Sequence, residues 1–218
     1  MQTRLIAARS HGRYLIDIPE HSRGTLVGFH GYKENAAIHL DVLRTIAGDR
    51  PLGLVSIQAL HRFYTSGGAV VASWMTKEDR EQAIADNVDY VGRVLTAIAD
   101  ESGITRPMIY VGFSQGVAMA FRAAAFVQRP CDAIVALAAD VPPDVARGFS
   151  HGSTTLPRTL LGRGDRDEFY SATQAAKDLG VLKAAGVTVE EYVFGGGHLW
   201  TPAFIEKSAQ FIDELLSS

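Results

Sequence analysis

The chain has one cysteine, Cys131, among 218 residues. A lone thiol excludes an internal disulfide framework. Neither H-E-x-x-H nor C-x-x-C occurs, and no histidine–carboxylate spacing resembles a metal site. The sequence therefore calls for no metal and no cofactor. It also lacks any run of five basic residues. Its 21 basic and 24 acidic residues leave a net charge of −3, which argues against a nucleic-acid partner. No apolar stretch reaches the length of a membrane span. Residues 1–19 are broken by Arg4, Arg9, Arg13 and Asp17, so they lack the continuous apolar segment of a signal peptide. The expected location is the cytoplasm. No internal repeat and no Pro/Gly/Ser-rich linker divides the chain. Residues 1–218 are therefore expected to form a single domain, and 47% hydrophobic residues suffice for one core.

What is present is an alternation of strands and helices. Residues 4–9 and 13–18 alternate well enough for a hairpin turned at His11-Gly12. Short apolar runs at 25–30, 52–57, 107–111, 133–137 and 158–162 read as buried strands. Residues 187–194 alternate like a further strand. A helix is expected from the cap Asn35 to Ala47, with Gly48 as its stop. Residues 61–74 read as a loop rich in aromatics. Thr76 and Asp79 make a capping pair for a long helix. Its inward stripe is Ile84, Val88, Val91, Leu95 and Ile98, and Gly103 ends it. Ser171 and Gln174 cap a helix with Ala172, Ala175, Leu179 and Leu182 inward, closed by Gly186. Thr201-Pro202 starts a last helix with Phe204, Ile205, Ile212 and Leu215 inward. Strands alternating with helices predict an α/β fold, with a mostly parallel central sheet covered on both faces. Sites in such sheets gather at the carboxyl ends of strands.

One segment carries more chemistry than any other. Gly112-Phe113-Ser114-Gln115-Gly116 follows the strand at 107–111 and opens an apolar helix. Strand, G-x-S-x-G, helix is the context of a nucleophile elbow. A serine needs a base to take its proton, and the base needs an orienting acid. The best histidine is His198, in the loop Gly195-Gly196-Gly197-His198-Leu199-Trp200. The acid region is Leu161-Gly162-Arg163-Gly164-Asp165-Arg166-Asp167-Glu168, after a strand and before a helix. The order Ser, Asp, His is that of α/β-hydrolases. His11, His21, His39 and His151 sit in polar or helical contexts and read as surface residues, while His61 could line a pocket. Cys131, without an elbow, reads as a quiet core thiol. Two donors are needed for an oxyanion. The backbone N–H of Gln115 is one, and the N–H of Tyr32, just after His30-Gly31, is the candidate for the other.

His30-Gly31, Gly112-Phe113-Ser114-Gln115-Gly116, Gly164-x-x-Asp167 and His198 together resemble the phospholipase/carboxylesterase family of serine hydrolases, which includes acyl-protein thioesterases. Ser56-Ile57-Gln58 and Ala72-Ser73-Trp74 match that family's middle segment, and the likeness runs from about residue 24 to 216. The resemblance implies an α/β-hydrolase fold without a large cap domain and hydrolysis of carboxylic or thiol esters. It also aligns Asp167, rather than Asp165, with the catalytic acid. Independently, Asp165 follows a glycine at the strand's edge, where it can cap its own turn. Two departures touch the pocket rim. Family members usually continue H-G-x-G-D, where this chain has Tyr32-Lys33-Glu34. They commonly place a proline and an apolar residue after the acid, where Glu168-Phe169-Tyr170 stands here.

The reading is a serine esterase for small-molecule esters of short to medium acyl chains. Ser114, His198 and Asp167 are the catalytic residues, and Tyr32 and Gln115 supply the oxyanion hole. Phe63, Tyr64, Trp74, Phe169, Leu199 and Trp200 are the candidate pocket. An acyl thioesterase or lysophospholipase is the alternative, and a peptide or amide hydrolase would use the same triad. A non-catalytic binding protein of the same fold would typically lack the serine or the histidine.

Overall fold

The computed structural model describes residues 2–101, 106–129, 131–145 and 157–217. The expected helix stop at Gly103 and the histidine at 151 lie outside them. In chain order the strands are β1 (Arg13–Asp17), β2 (Thr25–Phe29), β3 (Gly53–Gln58), β4 (His61–Tyr64), β5 (Val70–Ser73), β6 (Met108–Phe113), β7 (Ala133–Leu137), β8 (Arg158–Gly164) and β9 (Val189–Phe194). The helices are α1 (Ala36–Ala47), α2 (Arg80–Glu101), α3 (Gln115–Phe126), α4 (Ala172–Ala184) and α5 (Pro202–Leu216).

Seven strands form one sheet in the order β1-β3-β2-β6-β7-β8-β9. All neighbours are parallel except β1, which runs antiparallel to β3. The side chains alternate between two cores, as the pleat demands. On one face Val27, Phe29, Tyr110, Ile134 and Leu161 pack with α2, α3 and Leu182 of α4. On the other, Leu26, Ile109, Val111, Val135 and Leu160 pack with Leu40, Leu43 and Ile46 of α1 and with Phe204, Phe211 and Ile212 of α5. Helices thus cover both faces, as expected.

The caps explain the helix ends. Asn35 accepts the Ile38 N–H at 3.0 Å, and Gly48 closes α1 at φ 54°. Ser171 accepts from Gln174 N and Thr201 from Phe204 N. Each satisfies one N–H that a helix start leaves without a partner.

Several expectations need correction. Residues 4–9 form no strand; the β1 partner is β3, reached only after β2 and α1, rather than through a local turn. The 61–74 segment is not a loop but a hairpin, β4 paired antiparallel with β5. The long helix begins at Arg80, not Thr76. Thr76 Oγ1 accepts the Glu78 N–H, and Asp79 sits at φ 46°, so that turn precedes the helix instead of starting it. Its inward stripe holds at Val91, Leu95 and Ile98, all fully buried. In α4 Ala172 is exposed, and Asp178 joins Ala175 and Leu182 on the buried face. His39 is not a surface residue: it is fully buried in α1 and its Nε2 lies 3.1 Å from the Val111 carbonyl oxygen.

Candidate active site

The elbow lies at the junction of β6 and α3. Ser114 adopts φ 51°, ψ −124°, a conformation that costs a non-glycine residue roughly 1–3 kcal/mol. The surroundings hold it there. Its N–H donates to Leu137 O at 2.9 Å, and its carbonyl accepts from Val117 N at 2.9 Å. A side chain at Gly116 would collide with the Phe29 carbonyl oxygen, so only glycine lets α3 approach β2 this closely.

Three loops at the carboxyl ends of β6, β8 and β9 bring Ser114, Asp167 and His198 together. His198 Nε2 lies 2.8 Å from Ser114 Oγ. His198 Nδ1 lies 2.9 Å from Asp167 Oδ2 and 3.1 Å from Oδ1. The Asp167 side chain is fully buried, whereas the imidazole is 19% exposed. A carboxylate only accepts, so Nδ1 carries the proton and Nε2 is left to accept from the serine hydroxyl. Asp167 Oδ1 also accepts the N–H groups of Phe169 (2.8 Å) and Tyr170 (2.9 Å). The imidazole is flanked by Phe113 and by the edge of Phe169, with ring centres 5.1 and 5.0 Å away.

Asp165 points elsewhere. Its Oδ1 accepts the Gly196 N–H at 2.8 Å, on the loop that carries His198. That bond holds its carboxyl below the ordinary range, with the Arg166 cation and its own turn's amides adding to it. Two backbone bonds, Asp165 N to Phe194 O and Arg166 N to Gly196 O, both 2.8 Å, complete the join between the two loops.

The N–H of Gln115 belongs to the first residue of α3, where no intrahelical acceptor exists. The Gln115 side chain turns away from the serine. Its Oε1 accepts from Trp74 N (2.8 Å) and Ser73 Oγ (3.2 Å), and its Nε2 donates to Met75 O (2.8 Å). Tyr32 lies on a loop held by two residues whose parts in it were not foreseen. His30 is fully buried; Ala59 N donates to its Nε2 at 3.0 Å, so Nδ1 donates to Gly31 O at 2.7 Å. Burial pulls its pKa down to about 4, against that bond. Glu34 Oε2 accepts the Gly31 N–H at 2.7 Å. Burial pushes the Glu34 pKa up, while the Gly31 bond and the nearby His198 pull it back. The signal for Glu34 was present: an acid three residues past His30-Gly31.

The candidate pocket residues divide. Phe63 stacks on Tyr32 at 5.6 Å, and Tyr64, Phe169 and Leu199 are exposed. Trp74 does not reach the surface, and Trp200 is half-buried. Trp74 is fully buried against Phe29 and His30, with its Nε1 donating to His30 O. Trp200 packs on Phe113 and Phe204. Indoles are large enough to serve as walls for the loops beneath a site, and aromatic count alone does not separate wall from rim. His61 is exposed at the start of β4. Cys131 is packed, and burial pushes its thiol pKa up. Among the described residues no cluster of three His, Cys, Asp or Glu could hold a metal, and no helix is long and apolar enough to cross a membrane.

Parallel strands covered on both faces, with a strand–serine–helix turn at the centre, define an α/β-hydrolase fold, with no large cap among the described residues. Solved structures share it across most of their length. Esterase PE8 superposes with a TM-score of 0.76 at 21% identity, covering 94% of this chain and 98% of its own. The acyl-protein thioesterase 2 of Zea mays gives 0.72 at 19%, over 94% and 100%. The Bacillus cereus carboxylesterase gives 0.75 at 15%, over 94% of each chain. No curated protein matches the sequence. The chain belongs to the phospholipase/carboxylesterase family, whose model matches residues 19–216. It is a carboxylic ester hydrolase.

Proposed function

We propose that this ester hydrolase is a serine esterase working through Ser114, His198 and Asp167. The observation that carries the reading is the unbroken hydrogen-bonded line from Asp167 through His198 to Ser114. Ser114 Oγ attacks the acyl carbonyl while His198 Nε2 takes its proton. The Gln115 and Tyr32 N–H groups receive the oxyanion. His198 then protonates the leaving alcohol, and Asp167 stabilises the imidazolium. Water repeats the sequence on the acyl-enzyme and releases the acid. No metal or cofactor enters these steps.

The proposed substrates are small-molecule esters of short to medium acyl chains. Support comes from the surroundings of His198: Phe169 lies against its ring, Tyr32 stacks on Phe63, Leu199 is exposed, and no cap domain stands among the described residues. Hydrolysis of acyl thioesters or lysophospholipids would use the same groups. One catalytic domain over residues 1–218, acting in the cytoplasm without a nucleic-acid partner, completes the proposal. The seven-stranded sheet, whose strands run from residue 13 to residue 194, and the lone, packed Cys131 support it.

The test is a panel of p-nitrophenyl esters of rising acyl length, run beside acyl thioesters and followed by fluorophosphonate labelling. Rates are expected to fall beyond medium chains, with label on Ser114 alone. Ser114→Ala should lower turnover roughly 10⁴- to 10⁶-fold. Label on another residue, or retained turnover in that variant, overturns the assignment. Rates that climb steadily to long chains overturn the acyl preference.

A further inference from the structure

We propose that Tyr170 and Asp178 are positioning residues for the ester-hydrolysing centre: their buried hydrogen bond fixes the turn that aims the Asp167 carboxylate at His198. The inference rests on the triad reading above and extends it to two residues that do not touch the serine or the imidazole.

The turn after β8 needs an anchor. Asp165, Arg166, Glu168 and Phe169 are all exposed, and Phe169 is 81% so. Past Asp167, Tyr170 is the first residue of the turn with a buried side chain, at 2% exposure. Its hydroxyl donates to Asp178 Oδ2 at 2.9 Å. Asp178, also 2% exposed, stands in the second turn of α4 and is held in its own right. Gln174 Nε2 donates to its Oδ1 at 2.9 Å, and the Val141 N–H donates from the segment after β7. The Tyr170 ring is therefore tied at its far end to α4 and, through Asp178, to the neighbouring strand's loop.

The near end of the same residue touches the triad acid. Tyr170 N donates to Asp167 Oδ1 at 2.9 Å, beside the Phe169 N–H at 2.8 Å. Those two amides hold Oδ1, and the carboxylate faces His198 Nδ1 with Oδ2 at 2.9 Å and Oδ1 at 3.1 Å. The side chain's anchor thus sets the backbone position from which the carboxylate is aimed. Nothing in packing alone asks for this pair. A phenylalanine would fill the same space, and a buried carboxylate is costly unless its donors are in place. Burial accordingly pushes both groups up from their ordinary pKa ranges, Asp178 with Tyr170 and Gln174 donating against that rise.

The test uses Tyr170→Phe, which deletes only the hydroxyl, with Ser208→Ala as control. Ser208 Oγ makes a buried bond to Phe204 O on α5, across the sheet from α4. Each variant is assayed for kcat, KM, melting temperature, fluorophosphonate labelling and the downfield proton resonance of His198 Nδ1–H. Tyr170→Phe is expected to lower kcat about tenfold, less than the roughly 10²-fold that a misplacement of about 1 Å can cost. KM should stay within about twofold, and the Nδ1–H resonance should shift or broaden. Ser208→Ala should lose melting temperature while keeping kcat and the resonance. If Tyr170→Phe does not fold, Gln174→Ala removes one tie on Asp178 and should lower kcat a few-fold with the same spectral change. A variant with lowered melting temperature but unchanged kcat and resonance overturns the proposal. Label on Ser114 in that variant leaves the esterase reading standing; loss of label from Ser114 in the unaltered protein would instead overturn the triad itself.

Discussion

Asp165 and Gly196 are joined by a 2.8 Å hydrogen bond from the Gly196 N–H to the aspartate's Oδ1. The bond ties the loop bearing Asp167 to the loop bearing His198. At Gly164 any side chain would strike the Gly196 and Gly197 carbonyl oxygens, so the loops touch backbone to backbone. Asp165 is thus a brace between loops, two residues from an acid that faces the imidazole.

The two aspartates should therefore fail differently. Asp167→Asn removes the acceptor that sets the imidazole tautomer and should cost roughly 10⁴-fold in kcat. Asp165→Asn weakens a loop brace and should lower the melting temperature, with turnover largely kept. Melting temperature and kcat measured on both variants decide. Catalysis lost in Asp165→Asn and kept in Asp167→Asn would reverse the assignment.

Stability should fall in mild acid. His30 and His39 are buried, and burial pulls their pKa values down to about 4 and about 3 from an ordinary 6.5. In the unfolded chain both bind protons below pH 6.5; in the folded chain they stay neutral down to those lower values. The unfolded state therefore holds more protons in that window, and folding stability falls as pH is lowered from 6.5 toward 4. Each histidine should remove about 2–3 kcal/mol between pH 6.5 and 4.5. Urea unfolding across that range checks it, and His39→Gln should flatten the slope by close to one proton. An unchanged slope in that variant excludes His39 as a source.

Removing either partner of one ion pair should have unequal cost. Arg122 of α3 is 2% exposed, with Nε 2.8 Å and Nη2 3.0 Å from the Asp144 carboxylate, whose side chain is 31% exposed. Asp144→Ala strands a buried guanidinium and should cost about 3–5 kcal/mol. Arg122→Met keeps the packing and leaves an acid that water can reach, so about 1–2 kcal/mol is expected. Equal losses in denaturant melts would contradict the burial argument.

Much of this arrangement was legible in the residues because it depends on local rules. Asn35, Gly48, Ser171 and Thr201-Pro202 mark helix ends through their own side chains and backbone freedom. The elbow is local as well, since strand, serine and helix are contiguous. What was missed depends on distant partners. Arg13–Asp17 pairs with Gly53–Gln58, and nothing in residues 4–18 specifies that. The hairpin at 61–73 has mostly exposed residues in β4, so alternation was weak there, although Gly67-Gly68 marked its turn. Trp74, fully buried, shows that aromatic content does not tell a rim from a wall. The pairing of Asp178 with Tyr170 could be seen only once the chain was folded.

Lys33 offers the last prediction. It sits at φ 64°, where a non-glycine residue is strained. The family to which this chain belongs usually has glycine there, in H-G-x-G-D. The conformation persists because the backbone around it is pinned to the hairpin. Lys33 N donates to Ala72 O at 3.2 Å, Ala72 N donates to Glu34 O at 2.8 Å, and Asn35 Nδ2 donates to Val70 O at 3.1 Å. The Lys33 ammonium lies over the Tyr32 ring, 5.5 Å from its centre, and half-exposed contacts of this kind contribute only about 0.5–1 kcal/mol. Relief of strain at a left-handed position is worth about 1–2 kcal/mol, against which glycine's greater freedom in the unfolded chain costs about 0.4–1 kcal/mol. The terms nearly cancel, so Lys33→Gly should leave the melting temperature within about 3 °C and keep kcat/KM. A β-branched residue meets the strain without relief: Lys33→Val should lower the melting temperature by several degrees, on the scale of about 2–4 °C per kcal/mol for a chain of this size. Because Tyr32 N is the proposed oxyanion donor next door, Lys33→Val should also lower kcat more than it raises KM. A valine variant as stable and active as the unaltered protein would show that the backbone at residue 33 is free to leave the left-handed region.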